Sequence, residues 1–232
     1  MNIKSVVKRI IGEKNLGRYD YFFKPSNKKV WGGAFNGQEF RREIFNEICD
    51  RCNFKLIVET GTFRGNTTLY MSRSGIPIMS VEYDLRTYGY VSTRFALNSI
   101  IRTFKNDSRF FLTGLSSDAS VAKKDVFFYL DAHWNDDLPL AEELKIIFST
   151  WENPVIMIDD FKVPGTNYKY DDYGDGKALT LDYVRNALGD LNVSVFFPAV
   201  DETQETGFRR GCVLLCNDSS SADVLSLSLI HI

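Results

Sequence analysis

The chain is poor in several things that mark common protein classes. It has only two histidines, four cysteines and six prolines, and its formal net charge is just -2. Its apolar runs break off well short of the roughly eighteen residues that a membrane-crossing helix needs. The N-terminus MNIKSVVKRIIGEK has neither an apolar core nor a small-residue cleavage site, so a cytoplasmic location is expected. A pI near 5.8 gives no global attraction to nucleic acid or an anionic membrane, although a local basic patch stays open, and a small or neutral substrate fits better. The cysteines form C-x-x-C (Cys49, Cys52) and C-x-x-x-C (Cys212, Cys216). The second pair lies in the apparent strand GCVLLCN, where residues four apart sit about 13 Å from each other, too far for one zinc ion. Packing and reduced thiols are expected for all four. The G-x-G-x-x-G of dinucleotide sites is also missing, which argues against NAD.

What is present is an alternation of strand and helix signals. With 232 residues and 44% hydrophobic content, the chain can bury one substantial core, and no second domain is needed. Ile3, Val6, Val7, Ile10 and Ile11 recur at helical spacing opposite Lys4, Lys8 and Arg9, a pattern that suits packing on the domain or a membrane-surface helix. Asn36 followed by Glu39 is a capping-box arrangement that predicts a helix start, with Phe40, Ile44, Phe45 and Ile48 as its buried face. KLIVET, IPIMSVEYD, SRFFLTG, DVFFYLDAH and PVIMIDDF read as five strands of a parallel sheet with helices on both faces. VSVFFPAV and GCVLLCN, joined by a loop too short for a crossover helix, should pair antiparallel.

In VETGTFRGNTT, Glu59, Gly61 and Gly65 fall where the first strand should turn into a helix. Gly61 permits a sharp turn, and Gly65 lets the helix start approach a ligand closely. About twenty residues on, Glu82 ends the second strand, where a carboxylate can accept both ribose hydroxyls. Asp131 ends the fourth strand, and Asp159 and Asp160 end the fifth. Three such acids together repel one another unless a cation or protons neutralise them, and hard oxygen ligands suit Mg²⁺. Other readings stand beside this one. Asp131 could bind a cofactor amine, Asp159 and Asp160 could cap a turn before Pro164, and Glu82 could be solvated.

The glycine loop paired with Glu82 resembles the class I S-adenosylmethionine-dependent methyltransferases, in which the loop holds the methionine moiety and the second-strand acid holds the ribose. The resemblance implies an α/β, Rossmann-like fold, a seven-stranded mostly parallel sheet with an antiparallel last strand, over residues 54–217. Residues 1–53 would form an N-terminal helical segment and a loop flanking the cofactor. FFYLDAHWNDDLPLAEELKII followed by IMIDDFKVPG is similar to metal-dependent O-methyltransferases of the catechol and macrocin types. That likeness implies Mg²⁺ on Asp131, Asp159 and Asp160, and cofactor contacts at Gln38, Glu59, Gly61, Gly65, Glu82, Asp131 and Trp134. Gly37-Gln38 matches a Gly-Gln of the catechol type. The catechol enzymes carry a base lysine where this chain reads Asp131, Ala132, His133, Trp134, Asn135, so His133 or Asp131 is the expected base. His133 and Trp134 could instead pack as shape-filling aromatics beside the cofactor.

The expected reaction is Mg²⁺-assisted O-methylation of a small-molecule hydroxyl on a sugar, polyol or phenol. A non-catalytic S-adenosylmethionine-binding or nucleotide-binding protein is the alternative. Asp131-Ala-His-Trp in place of Asn/Asp-Pro-Pro-aromatic argues against nucleic-acid methylation. Tyr168, Tyr170, Asp171, Asp172, Tyr173 and Asp175, after the fifth strand, could form a substrate lid or a solvated loop. Arg209 and Arg210 could hold an acidic group or sit on the surface. The ending ADVLSLSLIHI, within a tail at 218–232, resembles translated adapter sequence. It implies a natural C-terminus missing or replaced after about Ser220, and predicts a poorly ordered tail.

Overall fold

The computed structural model describes residues 12–133, 137–226 and 229–231. Eight strands form one sheet: β1 (Leu56–Thr60), β2 (Ile78–Glu82), β3 (Ile101–Lys105), β4 (Val126–Leu130), β5 (Val155–Asp159), β6 (Ser194–Pro198), β7 (Cys212–Cys216) and β8 (Leu229–His231). Their order is β3-β2-β1-β4-β5-β7-β6-β8. The first five strands run parallel, and β7 lies antiparallel to both β5 and β6. The helices are α1 (Glu13–Phe23), α2 (Glu39–Arg51), α3 (Asn66–Met71), α4 (Leu85–Arg94), α5 (Ser108–Ser117), α6 (Leu140–Thr150), α7 (Leu181–Leu188) and α8 (Ser219–Leu225).

Two cores, one on each face of the sheet, follow from the period-two alternation of strand side chains. Leu56, Val58, Phe128, Leu130, Ile156, Ile158, Val213 and Leu215 point to one face, where they meet Phe111, Leu144 and Ile147. Ile57, Phe127, Tyr129, Met157, Leu214 and Cys216 point to the other, against Phe45, Ile48, Tyr90 and Val91. Cys212 and Cys216 are buried core thiols, and all four cysteines are free.

Three expectations need correction. SRFFLTG is not the third strand but the body of α5, whose N-cap Asp107 accepts a hydrogen bond from the Arg109 N–H at 2.9 Å. Phe111, Leu112 and Leu115 form its buried face at helical spacing. The true β3, IRTFK, is an edge strand with partly exposed residues, so it never reads as an apolar run. Second, α2 starts at Glu39 without a side-chain cap from its N-cap residue. The β6–β7 loop supplies the missing acceptors: Glu205 takes the N–H groups of Phe40 and Arg41 at 3.2 and 3.3 Å, and Thr206 takes that of Glu39 at 2.9 Å. Arg41, rather than Phe40, belongs to the buried face of α2.

The third correction concerns the C-terminal segment. α8 is capped by Asp218 and buries Leu225, and β8 extends the sheet beyond β6. The segment expected to stand outside the fold thus adds an eighth strand. The helical pattern at residues 3–11 lies outside the described residues. Next to it, α1 packs on α4, with Asp20 accepting from Arg86 Nε at 2.6 Å. Among the described residues no helix is long and apolar enough to cross a membrane.

Candidate functional site

In the strand order the sheet reverses direction of growth between β1 and β4, and open parallel sheets bind ligands beyond the carboxyl ends of the strands at such a point. Gly61 follows β1 there with φ +87°, and a Cβ on it would fall 2.1 Å from the carbonyl oxygen of Asp131. Its neighbour is therefore the end of β4, which the bare glycine lets β1 approach. Gly65, at φ +70°, caps α3, and the space a Cβ would need is taken by the Phe95 ring at 2.5 Å. Packing against Phe95 is thus one reason for a glycine at this position.

Glu59 and Glu82 are held by neutral donors. Glu59 Oε2 accepts from Thr68 Oγ1 and from Ser80 Oγ, both at 2.5 Å, and burial pushes its pKa up to about 8. Glu59 thus ties β1 to α3 and β2. Glu82 accepts from the backbone N–H of Phe63 at 2.8 Å and from that of Asp84 at 2.7 Å, one on each carboxylate oxygen. Each oxygen keeps lone-pair capacity for a further donor. Burial raises Glu82 to about 7.

Charged partners dominate at the ends of β4 and β5. Asp159 is 1% exposed, and its carboxylate is fully engaged. It pairs with the buried Arg41 guanidinium and accepts from Tyr129 OH at 2.5 Å, Asn36 Nδ2 at 3.2 Å and the Asp160 N–H at 2.8 Å. Asn36, expected as a helix cap, serves this network.

Asp160, in a left-handed conformation at φ 54°, turns the other way, and its carboxylate pairs with Arg210. Asp131, His133 and Asp160 bring one ligand atom each within 4.8 Å of one another. Of the three acids expected to share a cation, Asp131 and Asp160 stand beside His133, while Asp159 pairs with Arg41 in an adjoining network that reaches Asp160 through Asn36. His133 is buried, and its Nε2 has no hydrogen-bond partner. That nitrogen lies 3.6 Å from Asp131, 3.8 Å from Asp160 and 3.9 Å from Asp171. Burial disfavours the imidazolium, but these carboxylates outweigh it and raise the His133 pKa. Burial together with neighbouring Asp160 and Asp171 pushes Asp131 up to about 7, with His133 opposing. Asp160 is pushed up by burial, yet His133 and Arg210 hold it below the usual carboxylate range.

Asp171 arrives from the segment after β5. Its N–H bonds the Asp160 carbonyl at 2.9 Å, Tyr173 OH donates to its carboxylate at 2.9 Å, and Arg210 pairs with it. Of the other residues considered for a lid, Tyr168 is buried and donates to the Val200 carbonyl, whereas Asp172 and Asp175 are exposed.

Gln38 is spent on protein. Its amide accepts the Arg210 N–H at 2.8 Å and donates to the Arg210 carbonyl at 2.9 Å. Trp134 lies outside the described residues. Arg210 and Asp171 are the site members that sequence reasoning left undecided. Their signal was their charge within loops flanking the strand ends, which does not distinguish a site from a surface. Arg209, adjacent to Arg210, instead donates to the Glu205 carbonyl.

The sequence matches no family model and no curated protein. Several solved structures are similar in fold. An O-methyltransferase from Bacillus cereus in complex with S-adenosylhomocysteine is 12% identical, with a TM-score of 0.58 over 93% of this chain and 97% of that one. The S-adenosylhomocysteine-bound methyltransferase PaMTH1 of Podospora anserina is 13% identical, with a TM-score of 0.56 over 94% of each chain. The O-methyltransferase TomG of Streptomyces achromogenes, involved in tomaymycin synthesis and in complex with S-adenosylmethionine, is 15% identical, with a TM-score of 0.55 over 77% of this chain and 79% of that one. The chain has the Rossmann-like fold of these methyltransferases.

Proposed function

We propose that the protein is an S-adenosylmethionine-dependent O-methyltransferase acting on a hydroxyl of a small sugar, polyol or phenol, with a divalent cation held by Asp131, His133 and Asp160. The observation that carries the reading is the buried, unpartnered Nε2 of His133 aimed at two strand-end carboxylates. Two carboxylates and an imidazole are a donor set that suits Mn²⁺ as well as Mg²⁺. Such a cation would polarise an acceptor hydroxyl and lower its pKa. S-adenosylmethionine would supply a sulfonium methyl for in-line displacement.

The chain's own contribution is alignment and proton management. Glu82, pinned by two backbone donors, presents its remaining lone pairs to the ribose hydroxyls. Gly61 lets the end of β1 close up on the residue that follows β4, Asp131. Asp131 is the more open member of the cluster, its side chain 33% exposed against 4% for His133, so it receives the acceptor's proton on the oxygen farther from His133. A cation-free variant of the chemistry is favoured by one observation: Arg210 already neutralises Asp160, which leaves His133 as the base and Asp131 as its orienting partner.

The test is calorimetric titration of the purified protein with S-adenosylmethionine, with Mg²⁺ or EDTA present and NADH as the control. S-adenosylmethionine is expected to bind and NADH not. Asp160→Ala is expected to keep cofactor affinity within about threefold while losing at least a hundredfold in methyl transfer to catechol and sugar acceptors, in line with the loss of a charge-stabilising group. Absence of S-adenosylmethionine binding overturns the reading. Binding with no transfer to any acceptor, in wild type as in variant, favours the non-catalytic alternative.

A further inference from the structure

Arg210 holds one oxygen of the Asp160 carboxylate whose other oxygen faces His133. Its Nε pairs with Asp160 and its Nη2 with Asp171, in a setting that leaves the side chain 17% exposed. Its backbone cannot drift, because Gln38 grips both its N–H and its carbonyl, and Arg41 donates to the same carbonyl. The side chain, by contrast, is held only by the two carboxylates among the contacts described. Beside it, His133 Nε2 lies 3.8 Å from the other oxygen of Asp160 without a partner. One carboxylate thus serves two customers: a guanidinium already seated on Oδ1, and an open donor position between Oδ2 and the buried imidazole.

We propose that Arg210 is a built-in counter-cation of this site, which competes with a divalent metal ion for Asp160 and so sets the affinity with which the metal binds. The inference rests on the metal reading given above. The physical ground is Coulombic. Without a cation, Asp131, Asp160 and Asp171 crowd one partly buried corner around His133, and the guanidinium offsets much of their repulsion. When a dication binds, the same guanidinium becomes a like charge in contact with one of its ligands. Even at the dielectric of water, a unit charge about 5 Å from a dication weakens its binding roughly tenfold, and partial burial strengthens the effect. Because the open position lies on Oδ2 while Arg210 holds Oδ1 and Asp171, a metal ion can load with the guanidinium still in place beside it, and the two cations share the Asp160 carboxylate.

The experiment is titration of the full chain with Mn²⁺, free ion read by electron paramagnetic resonance, for wild type, Arg210→Gln and Arg210→Lys at constant ionic strength. Circular dichroism checks the fold of each, and Arg210→Met, which keeps the stem's packing, replaces Arg210→Gln should that variant not fold. Arg210→Gln is expected to bind Mn²⁺ about tenfold more tightly than wild type, and Arg210→Lys, which keeps the charge, within about threefold of it. Equal or weaker binding by Arg210→Gln overturns the proposal while leaving the metal reading intact, and weaker binding shows Arg210 to orient Asp160 instead. No Mn²⁺ binding by any of the proteins overturns both.

Discussion

Two groups of acids stand at the carboxyl ends of strands on either side of β4 and are handled in opposite ways. At β1 and β2, Glu59 and Glu82 face hydroxyl and backbone N–H donors and no guanidinium, so burial wins and their pKa values rise to about 8 and about 7. At β5, Asp159 and Asp160 are each paired with an arginine, and Asp160 is held below the ordinary range despite its burial. The contrast has a functional sense. Neutral donors leave a carboxylate with spare acceptor capacity suited to the hydroxyls of a neutral ribose. Guanidinium pairing keeps a carboxylate ionised and suited to exchange one cation for another. Within β5 the contrast repeats at shorter range: Asp159 has four donors and no spare position, whereas Asp160 keeps one oxygen toward His133.

The strongest way to break this arrangement is to remove the cation from the closed pair. Arg41→Met leaves Asp159 charged in a buried site with only Tyr129, Asn36 and one N–H to compensate. A loss of about 3–5 kcal/mol is expected, read by urea unfolding. Adding Asp159→Asn in the same chain should recover much of that loss, because the uncompensated charge disappears. If the single variant costs no more than the double, Arg41 acts through its packing and the pair contributes no charge compensation.

How much of this was legible in the sequence follows from the same physics. Parallel β1, β2, β4 and β5 are buried on both faces and so read as apolar runs, as does the antiparallel β7. The edge strand β3 exposes half its side chains and was masked by the more apolar α5. Strand-end acids were legible because strand ends are. The partner each acid takes was not, since Arg41, Asn36, Arg210 and Asp171 come from segments far away in sequence, and nothing local says which of two consecutive aspartates turns inward. His133 was visible as an imidazole beside Asp131. Its unpartnered Nε2 and its place in the cluster with Asp160 are products of packing. Gln38 was visible from a motif match, whereas its two hydrogen bonds to the Arg210 backbone were not.

A smaller effect sharpens the ligand-binding half of the comparison. Glu82→Gln keeps an acceptor for one backbone donor but loses the charge, and S-adenosylmethionine affinity measured calorimetrically at pH 8 should drop about ten- to a hundredfold, the range for losing a hydrogen bond to a charged group. Wild-type affinity should itself increase as pH rises through about 7, where Glu82 ionises, and the variant's should not. A pH-independent wild type would mean that the ribose end reads shape and not carboxylate charge.

The smallest effect expected lies in Glu59, and it tests whether the β1 end is truly free of a fixed charge. The folded protein retains a proton on Glu59 that the unfolded chain releases above about 4.5, so this group's contribution to stability is complete below that pH and lost as pH rises through about 8. Glu82 makes the same kind of contribution but loses it near pH 7, and His133 and Asp131 also have raised pKa values, so the share of the slope that belongs to Glu59 is the difference between wild type and a variant that cannot titrate there. Glu59→Gln retains an oxygen for Thr68 and Ser80 and cannot titrate. Urea unfolding from about pH 4.5 to 8 should therefore show declining stability in wild type and a flatter profile in the variant, with the two within about 1 kcal/mol of each other only below about pH 4.5, where Glu59 is protonated in the unfolded chain as well and one neutral hydrogen bond is exchanged for a similar one. Stability that rises with pH in wild type would mean that Glu59 is ionised in the fold. The β1 end would then carry a buried negative charge of the kind found at β5, and the division between the neutral-donor acids of β1 and β2 and the arginine-paired acids of β5 would not hold.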